Sequence, residues 1–447
     1  MSARTIRIGA GAGFSGDRIE PALELLEHGK LDFLAFECLA ERTIGLAQAA
    51  RQANPEKGYD PLLEARLSAA LPIAHRNGVR MISNMGAANP LAAAREASRI
   101  ARDLGLHGYR TAAVLGDDVL DLIMAQDFPL LDREGTSRDL GGTVVSANAY
   151  MGAEGIVSAL ALGADTVITG RVCDPALFLA PLIHAFGWSM TDWDRLGQGT
   201  LIGHLLECAG QLCGGYFADP GVKDIPDLAR LGFPLAEVEA SGAAVFTKLD
   251  SAGGALTEAT CKEQLLYEIL DPAAYLQADV VADFRDVRIA QQEPDRVRAE
   301  GARGSQRPDR LKVSICYDDG YMGEGQMSYA GPGAVERGQL ALDIVKERLR
   351  MHGMDVSAMQ FEMIGLNAVD RRGSVHAPAT GEVRIRVVGR ADTLAAAERI
   401  GGEVETLYTN GPMGGGGASR SVRKVLAVAS TLVDRRLVVP RVHMEIA

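Results

Sequence analysis

Between Thr5 and Asp174, short apolar runs alternate with amphipathic stretches, and this alternation constrains the fold more than any other feature of the chain. The runs cover residues 6–8, 31–36, 80–83, 111–115, 143–147 and 165–169. Their interiors are apolar throughout instead of alternating, as strands buried on both faces of a parallel sheet should be. The intervening stretches carry helix punctuation. Asp60-Pro61 and Asn89-Pro90 read as N-caps with proline in the first turn, and Gly78 and Gly105 fall at helix stops. Strands alternating with helices predict an α/β fold, a parallel sheet with helices on both faces. Such sheets bind ligands beyond the carboxyl ends of their strands. Polar residues recur there: Asp17 and Arg18, Glu37, Asn84, Asp117 and Asp118, Asn148, Arg171 and Asp174. The recurrence predicts a ligand site at that rim.

The first strand runs into Gly11-Ala-Gly-Phe-Ser-Gly16, a G-x-G-x-x-G spacing, and Glu37 ends the next strand. In a dinucleotide-binding unit the glycines would cradle a pyrophosphate at a helix N-terminus and the acid would take a ribose hydroxyl. Asp17 directly after Gly16 puts an anion where the pyrophosphate would lie. An NAD(P) or flavin fingerprint and a generic glycine-rich phosphate loop are therefore both open readings. A second loop, Gly411-Pro-Met-Gly-Gly-Gly-Gly417 with Arg420, offers Gly414, Gly415 and Gly416 as backbone donors to a phosphate or carboxylate, or serves as a flexible turn. His204 and Cys208 share a helical face, with Glu207 and Cys213 nearby. No second ligand pair follows at metal spacing, so a packed helix with one polar histidine is expected, and no metal site. There is no Gly-x-Ser-x-Gly elbow and no P-loop lysine.

With 447 residues the chain exceeds one ordinary core. Residues 1–280 read as the α/β domain, with about 187–279 as a cap or insertion. A charged boundary segment, 281–310, precedes an α+β domain over 311–447, in which a strand at 311–317 pairs as a hairpin with 327–330. The net charge of −12 is spread along the chain, which argues against a nucleic-acid or anionic-membrane surface. Six cysteines in a chain this long make no disulfide framework, and no apolar run is long enough to span a bilayer. The expectation is a cytoplasmic protein with reduced thiols.

Several stretches in order carry a family resemblance: 9–18, Phe36-Glu-Cys-Leu-Ala-Glu41, Asn148-Ala-Tyr-Met-Gly-Ala-Glu154, Thr169-Gly-Arg-Val-Cys-Asp-Pro-Ala-Leu-Phe178, Gly199-Thr-Leu-Ile-Gly-His-Leu-Leu-Glu207, Lys262-Glu-Gln-Leu-Leu-Tyr-Glu268 and 410–417. On these the chain resembles the acyclic terpene utilisation AtuA family, formerly a domain of unknown function. Glu37 stands where family members often show Asp. The resemblance implies a place in the breakdown of acyclic terpenoids as branched acyl-CoA thioesters. Joined to the strand-end carboxylates, it leads to the expectation of a hydratase, dehydratase or lyase acting on a CoA thioester or carboxylic acid. Asp17, Glu37, Asp118 and Asp174 are the acid/base candidates. Arg18 and Arg171 would hold a carboxylate or phosphate, Asn84 and Asn148 would orient substrate, and Gly11, Gly13 and Gly16 would supply backbone donors. Alternatives are an NAD(P)-dependent oxidoreductase and a non-catalytic subunit of a catabolic complex. Mg²⁺ on the carboxylates is a further option, and a homo-oligomer is the ordinary expectation.

Overall fold

The computed structural model describes residues 5–369 and 381–447. The chain divides into two compact units. One comprises the chain through Asp139 with Val145–Cys316 and Val428–Ala447; the other comprises Leu140–Val144 and Tyr317–Ala427.

The first unit opens with β1 (Thr5–Ala12), α1 (Glu20–His28), β2 (Phe33–Phe36), α2 (Glu41–Ala53), α3 (Leu63–Asn77), β3 (Arg80–Ser83), α4 (Pro90–Asp103) and β4 (Arg110–Leu115). It continues through α5 (Leu120–Ala125), β5 (Val144–Ala149), α6 (Glu154–Ala161), β6 (Thr166–Thr169), α7 (Ala176–Phe186) and α8 (Trp193–Leu206). Then come β7 (Leu235–Glu239), β8 (Ala244–Thr247), α9 (Glu258–Leu266), β9 (Tyr275–Leu276), β10 (Val281–Asp283), β11 (Arg288–Glu293), β12 (Arg296–Glu300) and β13 (Arg303–Ser305). The remaining elements are β14 (Arg310–Ala330), α10 (Ala334–Met351), β15 (Gln360–Ile364), β16 (Glu382–Ala391), α11 (Leu394–Glu405), α12 (Leu407–Asn410), β17 (Gly416–Asp434) and β18 (Arg441–Ile446). The division between units falls inside β5, β14 and β17.

A ten-stranded sheet with the order β11-β12-β8-β7-β1-β2-β3-β6-β4-β18 forms the centre of the first unit. From β1 to β4 all neighbours are parallel. Their interiors are buried end to end, as Phe33–Phe36 and Thr166–Thr169 illustrate. The sheet as a whole is mixed, which corrects the expectation of a parallel one. Strands β7, β8, β12 and β11 extend it antiparallel beyond β1, and β18 lies antiparallel to β4. Strands β7, β8, β11 and β12 come from stretches expected to cap or link, and β18 from the stretch expected to form the α+β domain. Hairpin strands can join an exposed sheet edge through short turns, without the long crossover that a parallel strand requires. The run at 143–147 does form a strand, β5, but it pairs with β14 and stands outside the parallel set.

Two series of helices pack in the first unit. Helices α1, α3 and α4 touch one another in sequence, as do α6, α7 and α8. The punctuation is local: Asn89 accepts the Ala92 N–H at the start of α4, and Gly78 ends α3 at φ +68°. No helix among the described residues is long and apolar enough to cross a membrane.

In the second unit, β15, β16, β14 and β17 make a sheet with α10 and α11 packed on β16. The expected hairpin between 311–317 and 327–330 does not occur. Strand β14 runs unbroken and pairs with β16 from Tyr321↔Ala391 to Ala330↔Glu382. Two of the glycines that suggested a turn admit helix α11 instead. A Cβ on Gly323 would fall 2.0 Å from the Ala397 carbonyl oxygen, and one on Gly325 would fall 2.8 Å from Val404.

Candidate functional site

Arg171, just past the end of β6, is the centre of the site. It is 1 % exposed. Its Nε donates to the Val172 carbonyl at 3.0 Å, Nη1 to the Leu39 carbonyl and Nη2 to Asp174. The guanidinium carbon Cζ lies over the Tyr150 ring, 4.4 Å from its centre. Burial opposes this charge, but Asp174 and the surrounding acids more than offset it and push the guanidinium pKa up. A cation held this deep persists only because each of its nitrogens has a partner.

Two glutamates flank it on the turn between β2 and α2. Glu37 accepts the Leu39 N–H at 2.8 Å and the Asn84 Nδ2 at 2.9 Å, and Asn84 Oδ1 in turn accepts the Cys38 N–H at 2.7 Å. Burial and then the charge of Asp174 push the Glu37 carboxyl up to about 8, against the opposing pull of Arg171. Glu41, the first residue of α2, receives the Tyr150 hydroxyl at 2.6 Å and lies 3.2 Å from the Lys312 ammonium. Burial pulls the Glu41 carboxyl upward, yet that hydroxyl, Lys312 and Arg171 together hold it at about 2.

A cavity of about 510 Å³ opens beside these groups, entirely within the first unit. Its polar wall carries Asp174, Glu41, Tyr150, Glu268, Arg310 and Lys312, and Leu131, Leu276, Leu311 and Leu432 give it apolar walls. The Asp174 side chain is 35 % exposed, and its carboxyl is pushed above the ordinary range by burial, with Glu41 and Glu268 adding to the effect and Arg171 opposing it. A larger cleft of about 800 Å³ beside β11 and β12 contains none of this cluster.

Next to the cavity lies a buried pair on α8 and its C-terminal end. His204 Nδ1 is 3.1 Å from Glu207 Oε1, and its Nε2 is 3.3 Å from the Leu265 carbonyl. Burial lowers the imidazole to about 4 and, aided by Asp174 and Glu268, raises Glu207 well above its ordinary value. The carbonyl can only accept, so Nε2 carries the proton of a neutral ring and Nδ1 faces Glu207 as an acceptor. The histidine ring packs against Tyr275, a cavity residue, at 5.3 Å. Among the described residues no group of three or more His, Cys, Asp or Glu side chains is arranged to hold a metal ion.

The structure therefore gathers Glu37, Asn84, Arg171 and Asp174 from the sequence candidates. Asn148 joins them through Asp117, whose Oδ2 accepts both Asn148 Nδ2 and the Arg171 N–H at 2.9 Å; burial raises that carboxyl to about 6. Asp118 pairs with Asn148 through the backbone, but its side chain is half-exposed, 3.5 Å from Arg51 and capping Leu120.

The first glycine stretch is occupied by the protein itself. Asp17 accepts the N–H groups of Gly13 at 2.9 Å and Arg18 at 2.8 Å. Buried Arg66 donates to the Ser15 and Asp17 carbonyls. A Cβ on Gly11, inside β1, would fall 2.7 Å from the Phe36 ring; on Gly13 it would fall 2.6 Å from the Cys208 backbone, and on Gly16 2.8 Å from the Phe14 ring. These glycines permit close packing. Arg18 donates to the Leu228 and Ala229 carbonyls. Gly414, Gly415 and Gly416 belong to the second unit, where Gly415 lies against Met327 and Tyr329; none of the three lines the cavity.

Glu41, Tyr150, Glu207, Glu268 and Lys312 were not among the sequence candidates. Glu41 closes the Phe36–Glu41 motif and Tyr150 follows Asn148 by two positions, so both stood at recognisable strand ends. Glu268 closes the Lys262–Glu268 stretch and stands out in the backbone too, at φ +59°, a left-handed conformation uncommon for glutamate and costing on the order of 1 kcal/mol or more.

Residues 6–444 match the family model described as acyclic terpene utilisation family protein AtuA. The match covers nearly the whole chain, and the chain belongs to that family. No curated protein and no solved structure matches it.

Proposed function

We propose that this AtuA-family chain is an enzyme that moves a proton beside the carbonyl of an apolar acid or acyl thioester, as a hydratase, dehydratase or lyase, with Asp174 as its acid/base. The observation that carries this is a cavity with leucine-lined walls containing one carboxyl, Asp174, raised above its ordinary range, beside a second, Glu41, held at about 2. Splitting of this kind separates the carboxyl that exchanges protons from the one that stays charged. In the dehydrating direction, the Asp174 carboxylate takes the α-proton and the C–H electron pair becomes the new double bond. The β-hydroxyl leaves with that same proton as water. Lys312, held against Glu41 and the Tyr150 ring, supplies a cation for charge developing on the carbonyl oxygen. The same reading takes the two helix groups to cover opposite faces of the parallel strands, which leaves the ends of β2, β3 and β6 as the working rim, and takes the second unit as a smaller α+β domain.

The test is α-proton exchange. The purified protein in D₂O is given branched enoyl and 3-hydroxyacyl thioesters and the matching free acids, and deuterium at the α-carbon is followed by NMR. At least one substrate should exchange, and Asp174→Asn should slow it by about 10²-fold or more. Exchange at the wild-type rate in that variant, or none with any substrate in the wild type, would overturn the reading.

A further inference from the structure

We infer that the cavity beside Asp174 takes an amphiphilic anion, its charged head on Arg310 and its apolar chain along the leucine wall. The inference rests on reading this cavity as the active site and goes on to name the class of molecule that enters it.

The cations of this region differ in what already holds them. Arg18 is engaged with backbone carbonyls and Arg171 has a partner on every nitrogen. Lys312 is held by Glu41 and the Tyr150 ring. Arg310, the first residue of β14, also lines the cavity, is exposed, and has no side-chain hydrogen bond or ion pair among the described residues. The acid whose charge it senses, Asp434, is already gripped by the Arg436 side chain and backbone. Arg310 and Lys312 are two positions apart on one strand and so leave the same face of it.

An arginine fork that makes no side-chain hydrogen bond or ion pair among the described residues, at a cavity whose apolar walls are leucines, matches a carboxylate or phosphate oxygen cluster geometrically as well as in charge. Glu41, Asp174 and Glu268 line the same cavity and repel an anion, which favours Arg310 as the seat of the head. Leu131, Leu276, Leu311 and Leu432 then receive the chain. A site of about 510 Å³ is of the size that encloses a small ligand.

The test compares octanoate, octanol and octanoyl-coenzyme A by calorimetry on the full chain, its Arg310→Gln and Arg310→Lys variants, and Asp174→Asn. An anionic ligand should bind at least tenfold more tightly than octanol. Arg310→Gln should bring that ligand down to the octanol level, leave octanol and the thermal midpoint unchanged, and be partly rescued by Arg310→Lys. Arg310-dependent binding of octanoate identifies a carboxylate head; dependence shown by octanoyl-coenzyme A alone identifies the phosphates of a thioester. Octanol binding as tightly as both anions, or anion affinity unmoved in Arg310→Gln, would overturn the inference. Arg310-dependent binding in a protein that exchanges no α-proton would leave the anion site standing and remove only the Asp174 chemistry.

Discussion

Glu37 and Glu41 sit at the two ends of one turn, feel the same arginine, and titrate in opposite directions. Glu37, on the inner side, meets only neutral donors, the Leu39 amide and the Asn84 side chain, and burial decides its fate at about 8. Glu41, on the cavity side, meets a hydroxyl and an ammonium, and these outweigh its burial to hold it at about 2. The difference teaches that position in the chain does not set a carboxyl's protonation; the charge and donors brought to it do. It also separates the inner, packed side of the Arg171 cluster from its cavity side.

The largest expected effect tests whether one arginine holds both sides. Arg171→Ala would leave Asp174, the Leu39 carbonyl and the Tyr150 ring without their cation, and denaturant unfolding should show a loss of about 3–5 kcal/mol. A loss below about 1 kcal/mol would break the comparison at its centre.

Glu37 comes next, through pH. Its folded pKa lies above the ordinary 4.5, so its contribution is fully present below about 4.5 and is lost as pH rises through about 8. Glu37→Gln should abolish that decline and gain on the order of a few kcal/mol above pH 8. Thermal midpoints measured from pH 5 to pH 9 read it directly, and parallel curves for the two proteins would refute it.

A smaller effect should come from Gly11→Ala, where the new methyl meets the Phe36 ring beside Glu37. The expected cost is about 1–3 kcal/mol. Carboxyl NMR should show the high Glu37 titration displaced and the low Glu41 titration in place; movement of both would mean that the two ends are not separable. Last, Tyr150→Phe removes one donor from Glu41 at a cost of about 1 kcal/mol. Glu41 is depressed, so its contribution holds above 4.5 and is lost as pH falls through about 2. The variant should raise that titration toward 4.5 and shrink the acid-side loss, and an unshifted Glu41 would assign its low value to Lys312 and Arg171 alone.

Much of the fold could be read from local signals. Buried strand interiors such as Phe33–Phe36 and Thr166–Thr169, the Asn89 cap and the Gly78 stop are short-range effects, and each lies where its residue types predict. The strand ends of Glu37, Asn84, Arg171 and Asp174 were legible for the same reason. The glycine stretches were not. Gly11 and Gly13 have the spacing of a phosphate loop, but what occupies the space beside them is Phe36 and the Cys208 backbone, the second of these far away in the chain. Glycine permits close approach without specifying what approaches. The unbroken β14 misled in the same way, since Gly323 and Gly325 make room for α11 and form no turn.

The sequence by itself determined the strand–helix alternation, the polar strand ends and the family, because each depends on neighbouring residues or on the pattern along the whole chain. Only the tertiary structure decided which edges the β7, β8, β11 and β12 strands extend, and which carboxyl stays protonated and which is charged. Tyr150 reaches Glu41 across 109 residues and Lys312 across 271. Protonation follows burial and partners, and both come from packing.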